Sequence, residues 1–112
     1  MCIGDFNEIL IINEKEGGVD RSSRQIANFL QCLECTVLRD LGFTGSWYTW
    51  AGDRRDYGCI RARIDRAVAT IEWRGKFPQA RLFHLANLAS DHSILLLKLE
   101  QVPQHTKSKK LF

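Results

Sequence analysis

Three short stretches of this chain carry groups that can do acid–base and anion chemistry. Gly4-Asp5-Phe6-Asn7 holds a carboxylate and a carboxamide one residue apart, so on an extended backbone both emerge on the same side of a strand terminus. A carboxylate placed there can orient a water, and an amide can hold a developing oxyanion. Ser90-Asp91-His92 sets a hard oxygen ligand beside an imidazole, just ahead of an apolar stretch. Asp suits Mg²⁺ or Mn²⁺, and His can act as a base or contact a phosphate. Between them, Arg63-Ile64-Asp65-Arg66 adds a carboxylate suited to bonding an imidazole and fixing its tautomer. Each stretch also has a plain structural reading: turn-forming Asp and Asn, a capped loop-to-strand junction, and an Arg–Asp ion pair on a strand face.

The elements that must position these groups follow an α+β pattern. Cys2 to Phe6 reads as the end of a strand, and Glu8 to Arg21 as a loop broken by Gly17-Gly18. Ser22 or Ser23 can cap a helix running to about Cys35, on which Ile26, Phe29, Leu30 and Leu33 form one apolar face. Thr36 to Leu38 and Trp47 to Trp50 read as short strands, and Gly52 to Gly58 as a hairpin loop. Ile60, Ala62 and Ile64 alternate with Arg61, Arg63 and Asp65, which predicts a strand with one buried and one polar face. A helical turn around Ile71 to Lys76 must stop before Pro78. Ala80 to Leu85 and Ser93 to Leu99 complete the strands, with Ile94 to Leu97 expected to be buried.

Composition narrows the classes. The chain has 112 residues, one small domain, and its 45% hydrophobic and 26% charged content reads as globular rather than disordered. No apolar run approaches the roughly 18 residues of a membrane span, and Met1-Cys2-Ile3-Gly4-Asp5 lacks the basic-then-apolar order of a signal peptide. Four cysteines without such a signal predict free thiols and an intracellular location, nuclear or cytoplasmic. Cys32-Leu33-Glu34-Cys35 has paired spacing, but no second pair follows, so two small helix residues is the simpler reading. Residues 1–52 hold seven acidic and four basic side chains, whereas residues 53–83 hold eight basic and four acidic, interleaved with Tyr57 and Trp73. That middle stretch suits a polyanion such as DNA or RNA, or an ordinary solvated surface.

Taken in order, Asp5 and Asn7 in Gly-Asp-Phe-Asn, then Thr49-Trp50, Asp65 in Arg-Ile-Asp-Arg, and Ser90-Asp91-His92 resemble the second half of the endonuclease/exonuclease/phosphatase superfamily. Further likenesses narrow the match: Glu8 after Asn7, Glu14-Lys15-Glu16-Gly17-Gly18, Asp40-Leu41-Gly42-Phe43 with Gly45, and Trp73 followed by Phe77-Pro78. They resemble the endonuclease domains of plant LINE-type (non-LTR) retrotransposons, over about residues 2–99. The resemblance implies half of a four-layer α/β sandwich, one mixed or antiparallel sheet with flanking helices, truncated at the N-terminus. Residues 1–100 would be the C-terminal part of that domain and residues 101–112 a basic tail.

The resemblance also implies roles. Asp5 would position and help deprotonate the attacking water, and Asn7 would contact the scissile phosphate. Asp91 would belong to the cluster that binds Mg²⁺ (or Mn²⁺). His92 would be the phosphate-contacting or basic imidazole, held by Asp65. The hairpin loop around Arg54, Arg55 and Tyr57 would lie against DNA or RNA. The family's principal metal-binding Glu and an early Asn precede the Gly-Asp-Phe-Asn strand, and Glu8, Glu14 and Glu16 follow it. The expectation is therefore a weakly held metal, no activity from this chain alone, and association through an uncovered sheet face bearing Ile60, Ala62 and Ile64. The family's Leu and Pro are replaced here by Ile64 and by Ser93-Ile94. Other classes compatible with the residues are a non-catalytic nucleic-acid-binding module using Arg54 to Arg81, and a phosphatase acting on a small or lipid phosphate.

Overall fold

Ser22 ends the loop before the first helix because its Oγ accepts the Gln25 N–H, satisfying one of the free first-turn amides. The computed structural model describes residues 1–54 and 58–100, and places α1 at Ser23–Cys35. Leu33 on its apolar face is buried, Ile26 and Phe29 are half-buried, and Leu30 lies exposed at the margin. A second helix, α2 (Ile71–Lys76), starts at Thr70, whose hydroxyl accepts the Trp73 N–H, and ends before Pro78.

The strands among the described residues are β1 (Cys2–Asp5), β2 (Lys15–Glu16), β3 (Arg39–Asp40), β4 (Thr44–Gly45), β5 (Trp50–Arg54), β6 (Gly58–Ala62), β7 (Asp65–Ala69), β8 (Arg81–Leu85) and β9 (Ile94–Lys98). The architecture is α+β. Where one sheet was expected, the strands form three small ones, ordered β1-β7-β3, β2-β6-β5 and β4-β8-β9. Only the β4–β8 pairing is parallel among them.

The division originates at Arg63-Ile64. The expected strand through Ile60 and Asp65 stops at Ala62 and restarts at Asp65, because the Thr49 Oγ accepts both the Ile64 and Asp65 N–H groups and takes them out of the ladder. Alternation fails at the same place: Arg63, Asp65 and Arg66 are all buried. Strand β7 is paired on both edges, and Ala67 and Val68 are 0% exposed. A strand covered on both faces shows no period of two, so the sequence pattern does not reveal it.

Other expectations change for local reasons. Thr36 closes α1 by donating its hydroxyl to Cys32 O, and Val37 has φ 57°, so Thr36 to Leu38 is a helix exit and not a strand. Of Trp47 to Trp50, only Trp50 is in a strand. The 8–21 loop contains a 3₁₀ turn at Ile12–Glu14 as well as β2. Ile60 and Ala62 do not form an open face; they are 6% and 4% exposed. The Gly17-Gly18 turn passes against β6 so closely that a Cβ on Gly17 would meet Cys59 O at 2.5 Å, and both glycines have positive φ. The uncovered apolar face lies elsewhere. Leu85, Ile94 and Leu96 lie on one exposed face of the β8–β9 pair, while Leu95 and Leu97 on the other face of β9 are half-buried. No helix among the described residues is long and apolar enough to cross a membrane.

A buried ion network ties the 3₁₀ turn and β3 to the β6–β7 break. Arg66, 0% exposed, gives one nitrogen to Glu14 Oε1 (2.7 Å) and another to Asp40 Oδ2 (2.8 Å). Arg63 bonds Glu14 Oε2 (3.0 Å) and Asp40 (2.8 Å). Two cations and two anions balance, and Phe43 and Phe29 cover the guanidinium groups. Burial resists the charge on Asp40, but Arg63, the Gly42 N–H and Arg66 outweigh it and hold its pKa below the ordinary 3.8. Removing one member leaves an uncompensated buried charge, so Glu14→Ala should destabilise the fold by about 3–5 kcal/mol. Glu16→Ala, which breaks only the exposed Arg61 pair and the exposed Tyr48 hydroxyl bond, should cost within about 1 kcal/mol. Urea unfolding separates the two. The contribution of Asp40 is full above pH 3.8 and is lost as pH falls through its lowered pKa, so Asp40→Asn should flatten the acid limb of a stability–pH curve.

Candidate active site

The three sheets meet at one seam. Phe6 N–H bonds Ile64 O at 2.9 Å, tying the end of β1 to the β6–β7 break. Ala51 N–H bonds Asp91 O, Ser93 N–H bonds Thr49 O, and Trp50 pairs with His92 as an isolated bridge. These bonds carry the Ser-Asp-His segment to the ends of β1 and β7. The Asp5 and Asp65 backbones are themselves direct partners across the β1–β7 ladder.

His92 consequently lies between two carboxylates. Its Nδ1 donates to Asp65 Oδ2 at 2.9 Å, since an ionised carboxylate can only accept. Its Nε2 lies 4.0 Å from Asp5 Oδ2. That gap is too long for a direct hydrogen bond and suits one intervening oxygen, of water or of a phosphoryl group. Asp65 is buried, while Asp5 and His92 keep open sides, as a group that must hold and groups that must meet a ligand would. Asn7, with φ 54°, donates its backbone N–H to Asp5 Oδ1 at 2.7 Å in a turn that fixes the Asp5 carboxylate. Asp5, Asn7, Trp50 and His92 line one cavity of about 510 Å³, with Lys15 and Arg21 on its wall and Ile60 and Ala62 at its floor.

Burial works against the charged form of His92. The Asp65 hydrogen bond and the carboxylates of Asp65, Asp5 and Asp91 outweigh it and raise the pKa above the ordinary 6.5. The other described histidine behaves oppositely: His84 is buried, stacked on Phe43 at 4.5 Å, and held neutral mainly by burial. It donates to Ser46 O and serves the packing of β8.

Asp5, Asn7, Asp65 and His92 are therefore brought together, and Asp5, Asp65 and His92 form a group able to offer ligand atoms within 4.8 Å of one another. Asp91 sits beside them in sequence, but its Oδ2 accepts the Trp50 Nε1–H at 3.3 Å, outside that group. Arg54 closes β5 opposite Gly58, and Arg55 and Tyr57 lie outside the described residues, as does the 101–112 tail. The three early glutamates are engaged elsewhere: Glu8 with Arg21, Glu14 in the buried network, and Glu16 with Arg61 and Tyr48. A hard cation asks for about six oxygen ligands. The described group offers such an ion one free carboxylate, Asp5, because Asp65 is committed to His92 and Asp91 lies outside the group. Cys2, Cys32, Cys35 and Cys59 are exposed thiols.

Two contributors, Lys15 and Arg21 on the cavity wall, had no spacing signal; Trp50 stood in the Thr49-Trp50 pair, but its part depends on its indole crossing Gly52, where a Cβ would lie 2.6 Å from the ring. Comparison with protein-family models, curated proteins and solved structures gives no match for the chain.

A group whose folded pKa is raised stabilises the fold below its unfolded pKa, and that stabilisation is lost as pH rises through the folded value. Asp65→Asn removes the anion from His92 while keeping the shape. The gap in unfolding free energy between wild type and Asp65→Asn should therefore be widest on the acid side of 6.5 and close as pH rises above it. Urea titrations at stepped pH measure it, and a gap that widened with pH would contradict the ion pair.

Proposed function

We propose that this chain carries the second half of a divalent-metal-dependent phosphodiesterase site of the endonuclease/exonuclease/phosphatase type, directed at a nucleic-acid backbone. The observation that carries the reading is the Asp5–His92–Asp65 array, with a one-oxygen gap between the Asp5 carboxylate and the outer nitrogen of His92. The order of motifs along the chain, resembling plant LINE-type endonuclease domains, supplies the substrate class. In this reading the α+β body is half of a four-layer sandwich.

Asp5 orients water and accepts its proton as the new P–O bond forms and the bond to the departing strand breaks. His92, kept charged by Asp65, donates from Nε2 to a phosphoryl oxygen, and the Asn7 amide donates to the same phosphate. Asp5, with Asp91 as the family likeness implies, would hold Mg²⁺ or Mn²⁺, which would supply neutralisation of the charge that gathers on phosphorus. With Glu8, Glu14 and Glu16 engaged elsewhere, the carboxylates at the array are too few for tight metal binding, so the chain alone binds the backbone and does not turn it over. Arg54, Arg55 and Tyr57 add salt-sensitive contacts to the strand.

A short DNA duplex titrated into the chain with Mg²⁺ and followed by NMR tests this. The resonances of Asp5, Asn7 and His92 should shift without strand scission. His92→Ala should weaken binding by about tenfold, the worth of one charge-assisted hydrogen bond. Binding that survives EDTA and leaves those three residues unmoved would favour a plain nucleic-acid-binding module instead. Scission lost on Asp5→Ala or His92→Ala would keep the roles and overturn the incompleteness.

A further inference from the structure

We propose that Thr49 is the positioning residue of the Asp65–His92 pair, its hydroxyl fixing where Asp65 points and its carbonyl fixing the segment that carries His92. This deepens the phosphodiesterase reading and takes its functional meaning from it, but the geometry stands without it.

Thr49 is 1% exposed and precedes β5 by one residue. A threonine hydroxyl offers one donor and two acceptor positions, and all three are used. The oxygen accepts the Ile64 N–H at 3.1 Å and the Asp65 N–H at 3.0 Å, and the O–H is directed to Ala62 O at 3.5 Å. The backbone of the same residue does two more things: its N–H donates to Ala62 O at 3.0 Å, and its carbonyl accepts the Ser93 N–H at 2.7 Å. Residues 62, 64, 65 and 93 are thus tied to a single side chain and its own peptide groups.

The consequence for Asp65 follows from strand geometry. Successive side chains on a strand point to opposite faces, so a slip of one residue reverses them all. Were the 60–65 segment to continue as an unbroken strand, the register that places Asp65 beside His92 would have no reason to hold. By capturing two consecutive amides, the hydroxyl sets the break and therefore the residue at which β7 begins. The 2.7 Å bond to Ser93 N–H then brings the residue following His92 to the same point. β-branching restricts the Thr49 rotamer, which makes the anchor stiff. Valine has nearly the same shape without the hydroxyl, and would leave the Ile64 and Asp65 amides buried and unpaired.

Thr49→Val and Thr49→Ser, compared with wild type by ¹⁵N NMR without metal or nucleic acid, test the proposal at a pH where His92 is neutral. In wild type and Thr49→Ser the ring should be the Nδ1–H tautomer that Asp65 selects. In Thr49→Val the ring should move toward the Nε2–H form usual for free imidazole, and the Ile64 and Asp65 amides should exchange about tenfold faster, the equivalent of one lost hydrogen bond. A folded Thr49→Val that keeps the Nδ1–H tautomer overturns the proposal. Should Thr49→Val not fold, Thr49→Ser decides. A native fold with the tautomer lost overturns the proposal, and one with the tautomer and both protected amides retained supports it. Because no nucleic acid is present, failure of the phosphodiesterase reading in the duplex titration leaves this result readable, and the reverse holds too.

Discussion

Two arginines buried with two carboxylates set the terms for everything else in this fold. A guanidinium is always charged, so Arg63 and Arg66 can leave water only if anions follow them. Glu14 comes from the 3₁₀ turn before β2 and Asp40 from the end of β3, and each bonds both arginines. The network thereby fastens two segments distant in sequence to the β6–β7 break. Its bonds are weak evidence for extra stability, since a well-packed apolar core of the same volume serves as well. What they supply is specificity: the 8–21 loop and the β3 region have one place to go, and the chain that runs from Ala62 to Ala69 must bend where both arginines can turn inward.

That constraint explains which parts of the fold were legible in the sequence. Helix α1 was readable because Ser22 and the Ile26, Phe29, Leu33 spacing express a cap and a face that depend on local chain geometry alone. Strands β8 and β9 were readable for the same kind of reason; the β5–β6 hairpin was located, but Gly52 to Gly58, read as its loop, holds most of β5 and the start of β6. Strand β7 was not, since its five residues are covered on both faces and two of them, Asp65 and Arg66, are charged. A charged residue read as polar surface is here core, and only the positions of Glu14 and Asp40 in space make that tolerable. The run Ile94 to Leu97 misled in the opposite sense, because hydrophobicity says that a strand prefers cover and not that the chain provides it.

The site was legible to a different degree. Asp5, Asn7, Asp65 and His92 were singled out by residue type and motif order, but the distance between them is a property of the seam. Glycine-bounded or Asp-containing turns are common, and nothing in Ser-Asp-His alone distinguishes a capped strand start from a ligand-facing imidazole. The separate placement of Asp91, bonded to the Trp50 indole, was beyond reach from spacing, because it depends on an aromatic ring lying across Gly52. Electrostatically the array is sharply divided: Asp65 is buried and spent on one bond, whereas Asp5 faces the open cavity. Two carboxylates flanking one imidazole favour the ring's charged form, which suits an anionic ligand better than it suits a second cation held through the same nitrogen.

The location of the array at the junction of three sheets couples its geometry to stability. Among the described residues each sheet alone has three short strands, none longer than five residues, and short strands open readily when their ends are free. The backbone bonds at the seam include Phe6 to Ile64, Thr49 to Ala62 and Ser93, Ala51 to Asp91, and Arg63 N–H to Glu14 O at 2.8 Å. Every one of them involves a site residue or a residue within two positions of one, or ends on the ion network. Loosening the seam therefore withdraws His92 from Asp5 and Asp65, which remain partners across the β1–β7 ladder. A ligand that bridges Asp5 and His92 acts across the same seam and must tighten it in return, by the reciprocity that links binding to any opening it opposes.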